Sequence, residues 1–110
     1  PFRFNGNVIN DGSIPNLPKD ACVEIPVFAD KDGIHKTIVG ELPAHLAILV
    51  STTAQIENLV VCAAMTKSRE DVYHAVMMDP LCSAVCSLQE IRDMCDLIFE
   101  KNTDYLGDYK

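Results

Sequence analysis

Apolar positions change rhythm at Pro43. Before it they come in short runs broken by Gly6, Gly12, Gly33 and Gly40 and by Pro1, Pro15, Pro18 and Pro26, whereas residues 43–103 contain no glycine. Short punctuated runs predict strands and loops over 1–42, and the unbroken stretch predicts helices over 43–103. Phe4 to Ile9 is a predicted strand entering an Asn10-Asp11-Gly12 turn. Ala21 to Ala29 is a second, in which Val23, Ile25 and Val27 alternate imperfectly with Cys22, Glu24 and Phe28, which implies burial on more than one face. Glu24 is expected on an outward face, because a carboxylate inside an apolar strand needs water or a partner. Asp30-Lys31-Asp32-Gly33 reads as a turn with Gly33 at positive φ, and Ile34 to Val39 returns to complete a hairpin over 22–39. The same run lacks the ligand spacing of a calcium loop.

After Pro43, Leu46, Leu49, Val50, Thr53, Ile56, Val60 and Ala63/Ala64 recur every three or four residues. This predicts one helix to about Thr66, with Ser51-Thr52-Thr53 as a place to break or kink. A second helix starts at Ser68, with Glu70 and Asp71 in its first turn, and ends before Asp79-Pro80. Leu81 to Val85 forms a short helical turn. Ser87-Leu88-Gln89-Glu90 is a capping box that opens a helix with the stripe Leu88, Ile91, Met94/Cys95 and Ile98/Phe99. The tail from Asn102 to Lys110 is expected to fray or dock loosely. The expectation is an α+β fold: one domain over 1–110, a β-hairpin and loop region packed by about three helices.

Composition narrows the partners. A chain of 110 residues with 48% apolar residues and a mean hydropathy of +0.10 has either a rich core or a surface that meets a partner. Sixteen acidic against nine basic residues give −7, which disfavours nucleic acid and anionic membranes. With no Trp and 6% aromatics a base-stacking platform is not expected either. The longest nearly uncharged stretch, Leu46 to Ile56, is too short to span a bilayer. The first residues have no apolar leader segment. Cys22, Cys62, Cys82, Cys86 and Cys95 include no Cys-x-x-Cys pair. Cys62, Cys86 and Cys95 are read as buried thiols, and the set fits a reducing cytoplasm.

Candidate chemistry is sparse. His35, His45 and His74 are scattered, and Gly-x-Ser-x-Gly, Gly-x-Gly-x-x-Gly, the P-loop and His-Glu-x-x-His are all absent. Cys82 and Cys86 share a helical face, but only His74 could join them at a metal, and packing is the simpler role. The pairs Asp30/Asp32, Glu70/Asp71 and Asp93/Asp96 are explained as turn, helix start and solvated face.

The order of several short motifs says more. Asn10-x-Gly12-x-Ile14-x-Asn16-Leu17-Pro18 is followed by Val23-Glu24-Ile25-Pro26, Asp32-Gly33-Ile34 and Val39-Gly40-Glu41-Leu42-Pro43. Asp79-Pro80-Leu81, Ala84-Val85-Cys86-Ser87-Leu88 and Glu90-Ile91 come after them. This succession, from Gly6 to about Leu106, resembles the C-terminal region of glycoside hydrolase family 4. The likeness is to its α-galactosidase, α-galacturonidase and phospho-α-glucosidase branch. The stretch Ile48 to Gln55 departs from the family's more polar pattern, so any role of that stretch does not carry over.

The resemblance implies an enzyme that uses NAD to oxidise the C3 hydroxyl of an α-glycoside. That step acidifies the C2 proton, a divalent metal such as Mn2+ stabilises the enediolate, and the glycosidic oxygen is eliminated. Water then adds and C3 is reduced again. The resemblance also implies that the nucleotide-binding domain, the metal ligands and the base precede this segment. No residue here is then catalytic, cofactor-binding or metal-ligating, and the isolated chain is expected to be inactive. Within a homo-oligomeric enzyme it would complete the sugar pocket. The loop carrying Asn10, Gly12 and Asn16 is the candidate to face that pocket. There the Asn side chains either bond sugar hydroxyls or only hold the turns, and Gly12 permits close backbone approach. The alternative is a freestanding, non-catalytic interaction or oligomerisation module that binds through Leu46, Leu49, Ile56 and Val60.

Overall fold

The structure is a computed structural model and describes residues 1–110. It is an α+β fold with strands β1 (Phe2–Ile9), β2 (Cys22–Asp30) and β3 (Gly33–Lys36). Helices α1 (Ala44–Thr66), α2 (Arg69–Met78), α3 (Pro80–Val85), α4 (Leu88–Lys101) and α5 (Thr103–Leu106) follow. The expected three or so helices are thus five helical segments, two of them short. The chain divides into two compact units, Pro1–Gln55 and Ile56–Lys110, with α1 running through the division.

In the first unit the sheet is antiparallel in the order β1-β2-β3. Val23, Ile25 and Val27 are buried while Cys22, Glu24 and Phe28 are exposed. Burial on more than one face is therefore corrected to a clean two-residue alternation, and Glu24 faces outward. Each of these branched side chains contributes about 1.5–3 kcal/mol by leaving water. They pack with Ile14, Leu17, Ala21, Ala47 and Ala54, joined by Val8 and Leu42. From α1 the buried members of this core are Ala47 and Ala54. The register sets Gly6 opposite Ile25 and Phe4 opposite Val27. A Cβ on Gly6 would come within 3.0 Å of both the Phe4 ring and a Val27 methyl, so the Phe4 ring covers the bare glycine.

The β2–β3 hairpin closes at Gly33 with φ +125°, a region that only glycine enters without strain. Pairing stops at Lys36 rather than at Val39. The Thr37 hydroxyl donates to the Pro26 carbonyl, and the Val39 and Gly40 N–H groups both donate to the Ser13 carbonyl. The backbone has turned to the neighbouring loop before Val39 is reached.

Ser51-Thr52-Thr53 does not break α1. The Thr52 hydroxyl donates back to the Ile48 carbonyl, which absorbs the polar side chain inside the helix. The helix has 23 residues, so by length and apolar composition alone it could cross a bilayer. The uncharged stretch considered above stopped short at Glu57, which the helix includes. Cys62 lies exposed on α1, not buried as its apolar neighbours suggested. The helix ends where Lys67 takes φ +56° and the Ser68 N–H donates to the Ala63 carbonyl, a left-handed C-terminal closure without glycine.

In the second unit the caps at Ser68 and Ser87 are those expected, and Asp79, expected only to end α2, also caps α3. The Ser68 hydroxyl accepts from the Asp71 N–H, and Asp79 caps α3 through the Cys82 N–H with Pro80 in the first turn. Ser87 and Glu90 form the full capping box of α4. Ile91, Cys95 and Phe99 are the buried positions of α4 and meet Tyr73 of α2. Leu88, Met94 and Ile98, also expected in the stripe, are exposed. Cys86 is only half-buried. The tail does not fray. The Lys110 N–H donates to the Lys67 carbonyl, the Lys110 carbonyl accepts from the Arg69 N–H, and the Tyr109 ring lies 5.7 Å from that of Phe99.

Candidate functional site

The loop between β1 and β2 is the segment singled out by the sequence. It needs two consecutive left-handed residues, Asp11 at φ +42° and Gly12 at φ +92°. Its base is closed by the Asn10 N–H donating to the Ala21 carbonyl and the Asp11 N–H donating to the Lys19 carbonyl. Ile14 and Leu17 turn into the core and anchor the loop from below.

Asn10 is completely buried. Its amide nitrogen donates toward the carbonyls of Ile14, Leu17 and Pro18 at 3.0, 3.3 and 3.0 Å, and its oxygen accepts from the Ile14 N–H at 2.7 Å. The side chain replaces backbone pairing that so tight a loop cannot supply for itself. Asn16 is engaged in the same way. It donates to the Leu42 carbonyl at 2.8 Å and accepts from the Leu42 N–H at 2.9 Å, which ties the loop to the segment before α1. Both asparagines hold turns. A Cβ on Gly12 would meet nothing within 4 Å, so that position borders open space.

The outward side of the loop is therefore formed by Asp11 and Pro15, both exposed, beside the half-buried Gly12. Lys36 joins them. Its ammonium donates to the Ile9 carbonyl at 3.0 Å and lies 3.9 Å from an Asp11 carboxylate oxygen. Nothing in the sequence pointed to Lys36, because only the register of β3 on β2 brings it to this end of the sheet.

Elsewhere the titratable groups are structural. His35 bonds Asp30 across the hairpin turn, and that bond holds the Asp30 carboxyl below its ordinary range. His74 lies 3.9 Å from Glu70. Glu70 is held low chiefly by its hydrogen bonds from Arg92, whose guanidinium covers the Tyr73 ring at 4.2 Å. The Tyr73 hydroxyl donates to Asp96, and this bond raises the phenol's pKa. Burial pushes the Cys82 and Cys95 thiols up, which makes them poor nucleophiles. No three His, Cys, Asp or Glu side chains come together as a metal would require. Nor does the chain contain a glycine-rich phosphate loop.

Comparison with known proteins agrees with this picture of a part rather than a whole. The sequence profile of the family 4 glycosyl hydrolase C-terminal domain matches residues 1–82. An α-galactosidase of Bacillus subtilis is 44% identical over 110 residues, covering 100% of this chain and 26% of the relative. An α-galactosidase of Rhizobium meliloti is 33% identical, covering 98% and 22%. A 6-phospho-α-glucosidase from gut microorganisms, solved with NAD and glucose-6-phosphate, superposes with a TM-score of 0.87 at 30% identity, over 99% of this chain and 24% of that one. A second such enzyme, solved with NAD and Mn2+, gives 0.84 at 25% identity, over 96% and 23%. The chain spans about a quarter of the length of these relatives. With the motif order, the α+β architecture and the profile in agreement, this chain belongs to glycoside hydrolase family 4, as part of its C-terminal domain.

Proposed function

We propose that this chain is the C-terminal portion of an NAD- and Mn2+-dependent α-galactosidase. The observation that carries the reading is the 44% identity to an α-galactosidase over the whole chain, against 30% or less for the 6-phospho-α-glucosidase structures. NAD and the metal would be held by the larger part of the enzyme, where NAD supplies a hydride acceptor and the metal stabilises negative charge on the sugar. The contribution of this chain is shape. Its β1–β2 loop, stiffened by Asn10 and Asn16, forms a wall of the sugar pocket with Asp11 and Pro15 outermost beside Gly12. Five free cysteines, two of them exposed, support a reducing, cytoplasmic setting.

The test is to express the protein from its whole reading frame and assay 4-nitrophenyl α-galactoside with and without NAD and Mn2+. Turnover that needs both is expected. Turnover of the 6-phospho-α-glucoside alone would reassign the sugar, and turnover without NAD would refute the mechanism.

A further inference from the structure

Resting on the reading that the β1–β2 loop borders the sugar pocket, we propose that Asp11 is a specificity-determining residue that favours neutral sugars over 6-phosphorylated ones. The relatives of this chain include α-galactosidases and 6-phospho-α-glucosidases. A galactoside is neutral, whereas a sugar phosphate carries close to two negative charges at neutral pH. A turn with consecutive left-handed residues, here Asp11 and Gly12, can line a concavity for an anion with its N–H groups. In this loop those donors are already engaged. The Asn10 and Asp11 N–H groups donate to the Ala21 and Lys19 carbonyls, and the Ser13 N–H donates to the Asn10 carbonyl. The Ile14 N–H donates to the Asn10 side-chain oxygen, and the Leu17 N–H donates to the Ile14 carbonyl. Both asparagine amides donate to backbone as well.

What the loop presents instead is an acceptor. The Asp11 side chain is 73% exposed, and an ionised carboxylate only accepts hydrogen bonds. Sugar hydroxyls can donate to it. An ionised phosphate brings only acceptors and like charge. Beside it a Cβ on Gly12 would meet nothing within 4 Å, so a ligand can come close to the backbone there. Lys36 does not reverse the sign of this surface. Its ammonium donates to the Ile9 carbonyl at 3.0 Å, and its side chain is 33% exposed, less than half the exposure of Asp11. From 3.9 Å it steadies the carboxylate, which stands further out into water, so Lys36 is a positioning residue. Lys19 and Asp20, at the other end of the loop, are both exposed and of opposite sign, and they add no net charge.

The test uses the protein from its whole reading frame, loaded with NAD and Mn2+. Galactose and galactose 6-phosphate are titrated into it by calorimetry. Asp11→Asn removes the charge and keeps a side chain suited to φ +42°. It should shift the affinity ratio toward galactose 6-phosphate by about fivefold or more. The shift should be larger at about 20 mM salt than at about 500 mM, because exposed charges are screened over a Debye length. Lys36→Met removes the neighbouring positive charge and should move the ratio the opposite way, by about threefold. A purely structural role would weaken both ligands alike. Equal changes for the two ligands, shifts of the same sign in both variants, or a ratio indifferent to salt would overturn the proposal. The 4-nitrophenyl α-galactoside assay on the parent protein separates the two ideas. Missing turnover with opposite shifts in the variants sinks the functional reading alone. Turnover with an unmoved ratio sinks the role of Asp11 alone.

Discussion

Replacing Asn10 by Ala should cost stability on a scale set by its bonds. The amide has two N–H groups and one oxygen. It faces three carbonyls and one backbone N–H, at distances between 2.7 and 3.3 Å. At most two donated bonds and one accepted bond are fully made at once. Each contributes about 1 kcal/mol net, and the buried Ile14 and Leu17 groups lose their partner without gaining water. The Pro18 carbonyl is only partly buried and can be resolvated, which trims the total to about 2–3 kcal/mol. Urea unfolding followed by far-UV circular dichroism measures it, as a lower midpoint at unchanged slope. Asn10→Asp is the companion. Above pH 5 it turns a carboxylate toward three carbonyl oxygens, so its folded pKa is raised above the unfolded value of about 3.9. A raised pKa means the folded state holds the proton more tightly, so the variant should lose stability as pH rises through and above 4. A loss below about 0.5 kcal/mol for Asn10→Ala would refute the claim that this side chain organises the loop.

Further outcomes follow from the second unit. Ile91 is fully buried at the centre of its core, so Ile91→Ala should cost about 3–4 kcal/mol in the same urea assay. Ser87→Ala should cost about 1 kcal/mol through loss of the α4 cap, seen as faster amide exchange over residues 88–91. The Ser87 N–H holds the Glu90 carboxyl below its ordinary 4.5, so its contribution is present above that pH and is lost as pH falls through the lower folded value. Glu90→Gln should flatten stability against pH below 4.5. Tyr109→Ala, which removes the ring packed on Phe99, should cost about 1.5–2 kcal/mol and free the tail to exchange.

What could be read in the sequence was what neighbouring residues decide. Ser87 and Glu90 are three residues apart and bond each other whatever surrounds them, so the start of α4 was legible. The same holds for Ser68 and for Asp79-Pro80. The tail was not legible, because its docking joins Lys110 to Lys67 and Arg69, some forty residues away. Cys62 shows a second limit. Apolar neighbours mark a helix as sticky, but not which side of it the protein covers. The β1–β2 loop lay between these cases. Its turn chemistry was visible, yet whether Asn10 and Asn16 face outward or inward depends on Ile14 and Leu17 being drawn into the core.

That inward turn separates two kinds of residue in the loop, and the separation can be measured. Asn10 and Asn16 spend their amides on backbone, so changing them alters the loop's shape and, through it, stability. Asp11 and Pro15 are exposed and lie outside the core cluster, so Asp11→Asn, which keeps a side chain suited to φ +42°, and Pro15→Ala should leave the urea midpoint within about 0.5 kcal/mol of the parent. If the loop borders the sugar pocket, those same two changes should raise KM for the α-galactoside several-fold with kcat nearly unchanged, the signature of lost ground-state binding. Gly12→Ala is the intermediate case. Open space leaves room for the methyl, but φ of +92° disfavours any side chain, so about 1–2 kcal/mol of stability and some of the KM should both move. Unchanged KM in all three variants would take this loop away from the substrate and leave it a purely structural staple between the sheet and the segment before α1.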